Sequence, residues 1–390
     1  MSKLTHWPNF SLQEAKAVYE VIKSNRVNYW TGEQGKKFES EFSSYIGTKY
    51  SIALANGTLA LDLALKALDI KSGDEVIVTP RSFIASVSCV VNAGAKPIFA
   101  EIDKDSGNIT ADSISKVVTS RTKAIICVHL AGWPCDMDPI MKLAKGHSIF
   151  VIEDCAQAHG SLYKKRNVGS IGHIGCWSFC QDKIMTTGGE GGMIATNNKK
   201  LWERMWSYKD HGKSYKAVNK LNHPPGFKWL HESFGTNFRM TEMQAAIGRY
   251  QLKKLDGWVK KRNRNAAYLK RVCDKFPKIL RTPIPDESVN HSYYKFYTYV
   301  ITSGLKRGWT RNKIINTICS KGVPCFEGSC PEIYLESAFK NTRLRPKKRL
   351  PVAKELGESS ILFLVHPTLV KKDLKFVGKI IEEVFQEATL

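Results

Sequence analysis

The segment YSIALANGTLALDLALKALDIKSGDEVIVTP, residues 50–80, sets the fold class. YSIALA, from Tyr50, reads as a short strand, and the turn Asn56-Gly57-Thr58 follows it directly. GTLALDLALKAL then places Leu59, Leu63 and Leu65 near Ala60, Ala64 and Ala67, a broadly apolar helix suited to burial against a sheet. EVIVTP, from Glu75, is the next strand. Strand, helix and strand in this order are the pattern of a parallel sheet covered by helices.

The alternation continues to about residue 155, with strands at KPIFAEI from Lys96, KAIICVHL from Lys123 and SIFVIED from Ser148. Between them, SFIASVSCVVNAG and MDPIMKLAKGH read as helices, each ending near a Gly or His that suits a helix terminus. A long helical stretch from Thr241, as one or two helices, leads out of this region. The strand YKFYTYVI from Tyr294 and the helix RNKIINTICSKG from Arg311 then belong to a smaller unit. The expected fold is α/β: a large domain over residues 1–255 with a mainly parallel central sheet flanked by helices, and a smaller C-terminal α+β domain over 256–390.

Composition narrows the function classes. Hydrophobic residues at 43% and charged residues at 24% match ordinary globular usage. There is no apolar run long enough to span a membrane and no apolar core of a secretory signal near the start, so a cytoplasmic protein is expected. The ten cysteines include no CxxC pair, Cys176 and Cys180 being one residue too far apart; reduced thiols and no metal site are expected. The formal charge of +23 raises nucleic acid as a partner. The basic residues are nevertheless spread along the chain without a binding motif, which favours solvated surfaces and a pocket for phosphates or carboxylates.

Three elements carry chemistry. In CWSFCQDKIMTTGGEGGMIATN, residues 176–197, Lys183 sits on a turn between two strand-like runs, ahead of a glycine cluster. A lysine so placed can form a Schiff base with an aldehyde if its amine is partly desolvated. Asp154 ends an apolar strand at the edge where open α/β sheets bind ligands, and a carboxylate there can keep a pyridinium nitrogen protonated. The turn Asn56-Gly57-Thr58 offers backbone N–H groups and a helix dipole to a phosphate. Each has a bland reading alone: a surface lysine, a helix cap, a tight turn. Their joint occurrence, in this order, is the signal.

These segments resemble the DegT/DnrJ/StrS family of sugar aminotransferases, of the aspartate-aminotransferase-like fold type I. The resemblance runs from GEQGKKFESEFSSYIG through GDEVIVTPRSFIAS, VIEDCAQAHG and SFCQDKIMTTGGEGG to TNFRMTEMQAAIG, about two-thirds of the chain. It implies pyridoxal 5'-phosphate as cofactor, bound covalently by Lys183, with Asp154 at the pyridine nitrogen and Gln157 near the ring hydroxyl. It further implies Phe83 stacking on the ring, Gly57, Thr58 and Ser178 on the phosphate, and Asn237 reaching the phosphate from the second subunit of a homodimer.

The substrates implied are a nucleotide-linked keto-sugar and an amino donor, glutamate, for surface-glycan or lipopolysaccharide biosynthesis. Lysine at position 183 favours transamination, because related dehydratases carry histidine there. A dehydratase or lyase on the same scaffold, and a basic nucleic-acid-binding protein, are the competing readings. GVPCFEGSCPEIYLESAF, from Gly322, lacks the histidine-containing loop of many relatives and leaves the sugar open. His159, His211, Tyr294 and Lys295 are candidates for contact with sugar or donor, and Glu190 for shaping the glycine turn, but isolated polar residues are structural more often than not, so all five stay outside the expected site.

Overall fold

The computed structural model describes residues 4–219 and 229–390. Its main sheet begins with β1 (Tyr50–Leu54), β2 (Glu75–Val78), β3 (Lys96–Phe99), β4 (Thr122–Val128) and β5 (Phe150–Asp154). Helices Gly57–Ala67, Ala85–Asn92 and Met137–His147 lie between these strands, where the periodicity places them. After the short pair β6 (Leu162–Tyr163) and β7 (Arg166–Asn167), β8 (Ile174–Ser178) and β9 (Gly192–Thr196) complete the sheet.

The seven strands run in the order β1-β9-β8-β5-β4-β2-β3, with β9 antiparallel to both its neighbours and every other pairing parallel. The reversal matters for position. Ser178 at the end of β8 pairs with Gly192 at the start of β9, so the intervening loop stays at the carboxyl edge of the parallel strands. Lys183 is on that loop. All four residues of β2 and all five of β9 are buried, the expected composition of strands covered on both faces.

The stretch from Thr241 forms two helices, Glu242–Leu252 and Leu255–Cys273. A second sheet follows, built from β10 (Leu280–Arg281), β12 (Phe296–Val300), β13 (Cys325–Phe326) and β14 (Ser360–Phe363), in the order β10-β12-β14-β13 and wholly antiparallel. Between its first two strands, β11 (Val289–Asn290) pairs instead with β6. The C-terminal helix Lys371–Ala388 buries Leu374, Val377, Ile381, Val384 and Phe385 at three- and four-residue spacings against this sheet's core. Leu4, at the other end of the chain, joins the same core.

Two buried carboxylates tie loops to this frame. Glu242 accepts the N–H groups of Gln34 and Gly35 at 2.5 and 2.9 Å, capping the first turn of helix Gln34–Ile46 from a distant helix. Glu153 in β5 accepts from Gly169, Ile171 and Gly172 at 2.8, 2.8 and 2.5 Å and from His129 Nε2 at 3.0 Å. Burial would raise the Glu153 carboxyl, but these bonds hold it below its ordinary value. Cys155 lies beside this pair, yet His129 Nδ1 accepts from Cys135 N at 3.0 Å, so hydrogen bonds already occupy the group. The ten cysteines are all free thiols, seven of them buried. No helix among the described residues is long and apolar enough to cross a membrane.

Burial pushes His159 and His291 down to about 3 and His366 to about 4, from an ordinary value of 6.5. As pH falls below 6.5 the unfolded chain binds protons that the folded chain refuses, so stability present above pH 6.5 is lost toward the folded values. Each such histidine contributes a slope of up to about 1.4 kcal/mol per pH unit. Melting temperatures are therefore expected to drop between about pH 7 and pH 5, and His159→Phe to lessen the drop. A flat profile over that interval contradicts this account.

Candidate active site

One cavity of about 1250 Å³ opens at the carboxyl edge of the main sheet, where its loops meet the second sheet and the N-terminal residues. Gly57, Thr58, Phe83, Asp154, Gln157, Ser178 and Lys183 all line it, drawn from four separate stretches of chain. Asn237 does not line it; its side-chain oxygen accepts from Arg239 N at 3.2 Å.

Asp154 stands at the last position of β5 and is 5% exposed. Its Oδ2 accepts from the Ser86 hydroxyl at 2.7 Å and its Oδ1 from Ala156 N at 3.1 Å, which fixes the carboxylate without a cation. No helix begins at this residue, so it is a pinned acceptor at a strand end rather than a helix cap. Gln157 Oε1 accepts from Ala131 N at 2.8 Å, leaving the amide nitrogen of the same group as a donor.

Asn56 caps helix Gly57–Ala67 through Leu59 N at 3.0 Å, and the first N–H groups of that helix have no partner within it. Glycine at position 57 is a steric requirement: a Cβ there would stand 2.5 Å from Ser178 Cβ. At this wall of the cavity a helix N-terminus is therefore pressed against the end of β8. Phe83 leaves 66% of its surface exposed, an unusual state for a phenyl ring and one that a stacked planar ligand would relieve.

Lys183 lies within a charged group that local patterns do not reveal. Its ammonium sits 5.0 Å from the Tyr294 ring centroid, and the Lys295 ammonium sits 4.5 Å from the same ring. Tyr294 donates its hydroxyl to Asp182, which is also 3.5 Å from Lys295. Burial alone would raise the Asp182 carboxyl, but the Tyr294 bond and the two lysines hold it down; burial likewise lowers Lys295. Arg262, buried and pushed down to about 9 by desolvation, lines the cavity with its Nη1 bonded to the carbonyls of Tyr293 and Tyr294. His6, Trp7, Glu190 and His366 complete this side. Tyr294, Lys295 and Glu190 thus join the cavity although the sequence reading leaves them outside the site, whereas His159 and His211 do not line it.

The arrangement combines an amine on a loop, an isolated carboxylate at a strand end and a helix N-terminus for an anion. Comparison with known proteins agrees. Residues 9–382 match the model of the DegT/DnrJ/EryC1/StrS aminotransferase family. GDP-perosamine synthase of Escherichia coli O157:H7 is 33% identical over 383 residues, 97% of this chain and 98% of its own. The dTDP-3-amino-3,6-dideoxy-alpha-D-galactopyranose transaminase of Aneurinibacillus thermoaerophilus is 32% identical over 363 residues, covering 93% and 92% of the two chains. Among solved structures, an aminotransferase from Psychrobacter cryohalolentis superposes with a TM-score of 0.97 at 58% identity, covering 98% of this chain and 99% of that one. The chain belongs to the DegT/DnrJ/EryC1/StrS aminotransferase family and is a sugar aminotransferase of the fold type I architecture.

Proposed function

We propose that this enzyme binds pyridoxal 5'-phosphate on Lys183 and uses it to move an amino group from glutamate to a nucleotide-linked keto-sugar. The observation that carries the reading is the convergence of Lys183, Asp154 and the Gly57–Thr58 turn on one cavity. The residues suit the cofactor. A buried carboxylate pinned by two donors still has lone pairs for a protonated ring nitrogen, the helix N-terminus suits a phosphate, and the exposed Phe83 ring offers a stacking face.

When bound, pyridoxal phosphate supplies an electron sink for the pair left behind as a proton leaves the carbon bearing nitrogen. Asp154 would hold the proton on the ring nitrogen that makes this sink effective. The Gln157 amide nitrogen would donate to the ring hydroxyl oxygen, and Ser178, Gly57 and Thr58 would hold the phosphate. Lys183, as a free amine, would carry the proton between the substrate carbon and the cofactor carbon, a positioned transfer worth about 10²–10⁴-fold in rate. The cations around Tyr294 make this end of the cavity receptive to carboxylate and phosphate groups.

The same reading places Asn237 at the phosphate of the second copy in a homodimer, since it lies outside the cavity of its own chain. It takes residues 1–255 as the cofactor-binding domain and 256–390 as the smaller domain, the break falling where helix Leu255–Cys273 begins. We assign the enzyme to the cytoplasm and its product to surface-glycan or lipopolysaccharide synthesis, consistent with relatives named for GDP- and dTDP-linked amino sugars.

The test is spectroscopic. The visible band of protein loaded with pyridoxal phosphate is expected to disappear on adding glutamate and to return when a nucleotide-linked keto-sugar is supplied, with an amino-sugar product of matching mass. Lys183→Ala is expected to lose band and turnover, and normal transamination by that variant overturns the assignment. Asp154→Asn is expected to keep the band and slow turnover by about 10²–10³-fold, the rate equivalent of breaking a buried charge pair. Unimpaired turnover in Asp154→Asn removes that carboxylate from the mechanism.

A further inference from the structure

We infer that Trp7, from the N-terminal segment, is a positioning residue for Lys183, and that residues 4–7 belong to the active site although they stand far from it in sequence. The inference rests on the reading of Lys183 as the cofactor-bearing lysine. The Trp7 indole N–H donates to the Lys183 carbonyl at 2.8 Å, across 176 positions of sequence. That carbonyl belongs to the peptide that sets the direction of the Lys183 side chain.

The ring is held on two further sides. It lies edge-on to Trp258 at 5.1 Å and covers the guanidinium of Arg262 at 5.2 Å, the same arginine whose Nη1 holds the carbonyls of Tyr293 and Tyr294. Trp7 therefore touches both the Lys183 loop and the group that fixes Tyr294, over whose ring the Lys183 amine stands.

The segment is anchored beyond the cavity as well. Thr5 donates to the Thr368 carbonyl at 2.9 Å and shares a 3.0 Å bond with Asp373, while the Thr368 hydroxyl donates to the His6 carbonyl at 2.9 Å. With Leu4 in the C-terminal core, this stretch is a strap from that core to the lysine loop, and Leu4, Thr5, His6 and Trp7 all line the cavity. Thr5, His6 and Trp7 are thus each held by a hydrogen bond, the first two to the segment around Thr368 and the last to the lysine loop.

Trp7→Phe keeps an aromatic ring and removes the N–H, leaving the Lys183 carbonyl without that donor. In the full-length protein the rate at which pyridoxal phosphate develops its visible lysine-bound band is expected to fall about fivefold to tenfold, the loss of one partly buried hydrogen bond. Turnover should fall in parallel with KM for the nucleotide-sugar unchanged and the melting temperature near that of the unaltered protein. Thr5→Val, which loosens the strap away from the indole, is expected to slow band formation about twofold to threefold. Band formation at the unaltered rate in Trp7→Phe, or a loss that merely follows a fall in melting temperature in both variants, overturns the inference. If the unaltered protein forms no band at all, the reading of Lys183 fails instead, so the two failures are distinguishable.

Discussion

The active site depends on one close approach: the turn Asn56–Thr58 lies against the ends of β8 and β9 so tightly that neither Gly57 nor Gly192 has room for a Cβ. A Cβ on Gly57 would meet Ser178 Cβ at 2.5 Å, and a Cβ on Gly192 would meet the Asn56 carbonyl at 2.3 Å. Neither neighbour can give way cheaply, because Ser178 and Gly192 are paired in the sheet and Asn56 is the helix cap. The two glycines thus bring the helix terminus to the edge where β8 hands the chain to the lysine loop. The reversed β9 keeps that loop from crossing to the far side of the sheet.

On this edge, charges are held by opposite means. Asp154 is fixed by two neutral donors and keeps capacity for a cation, whereas Lys183 and Lys295 share one tyrosine ring whose hydroxyl is tied to Asp182. A carboxylate that is buried and unpaired is costly unless a ligand supplies the positive partner, and clustered amines favour an anionic one. A zwitterionic cofactor and acidic reactants satisfy both demands. The protein's formal charge of +23 is in keeping with a pocket of this kind but does not by itself locate it.

The strands and helices around the main sheet were legible because buried parallel strands and their crossover helices impose short-range periodicity, and residues 50–154 carry it without interruption. The break between helices Glu242–Leu252 and Leu255–Cys273 was legible only as an alternative, since both carry helix-forming residues across the joint. Lys183, Asp154 and Gly57 could be singled out because each sits at a joint between elements, where local pattern and chemistry coincide. Trp7, Arg262 and His366 could not, and Tyr294 and Lys295 could be named only as isolated polar residues: all five meet through tertiary packing across most of the chain, and a tryptophan in a polar segment or an arginine on a basic helix has no local mark of its destination.

The central claim is that Lys183, and not its neighbour Lys295, carries the cofactor. Borohydride reduction of protein loaded with pyridoxal phosphate, followed by mass mapping of peptides, reads this directly. The account predicts a single modified peptide containing Lys183; modification at Lys295, or at neither lysine, would contradict it.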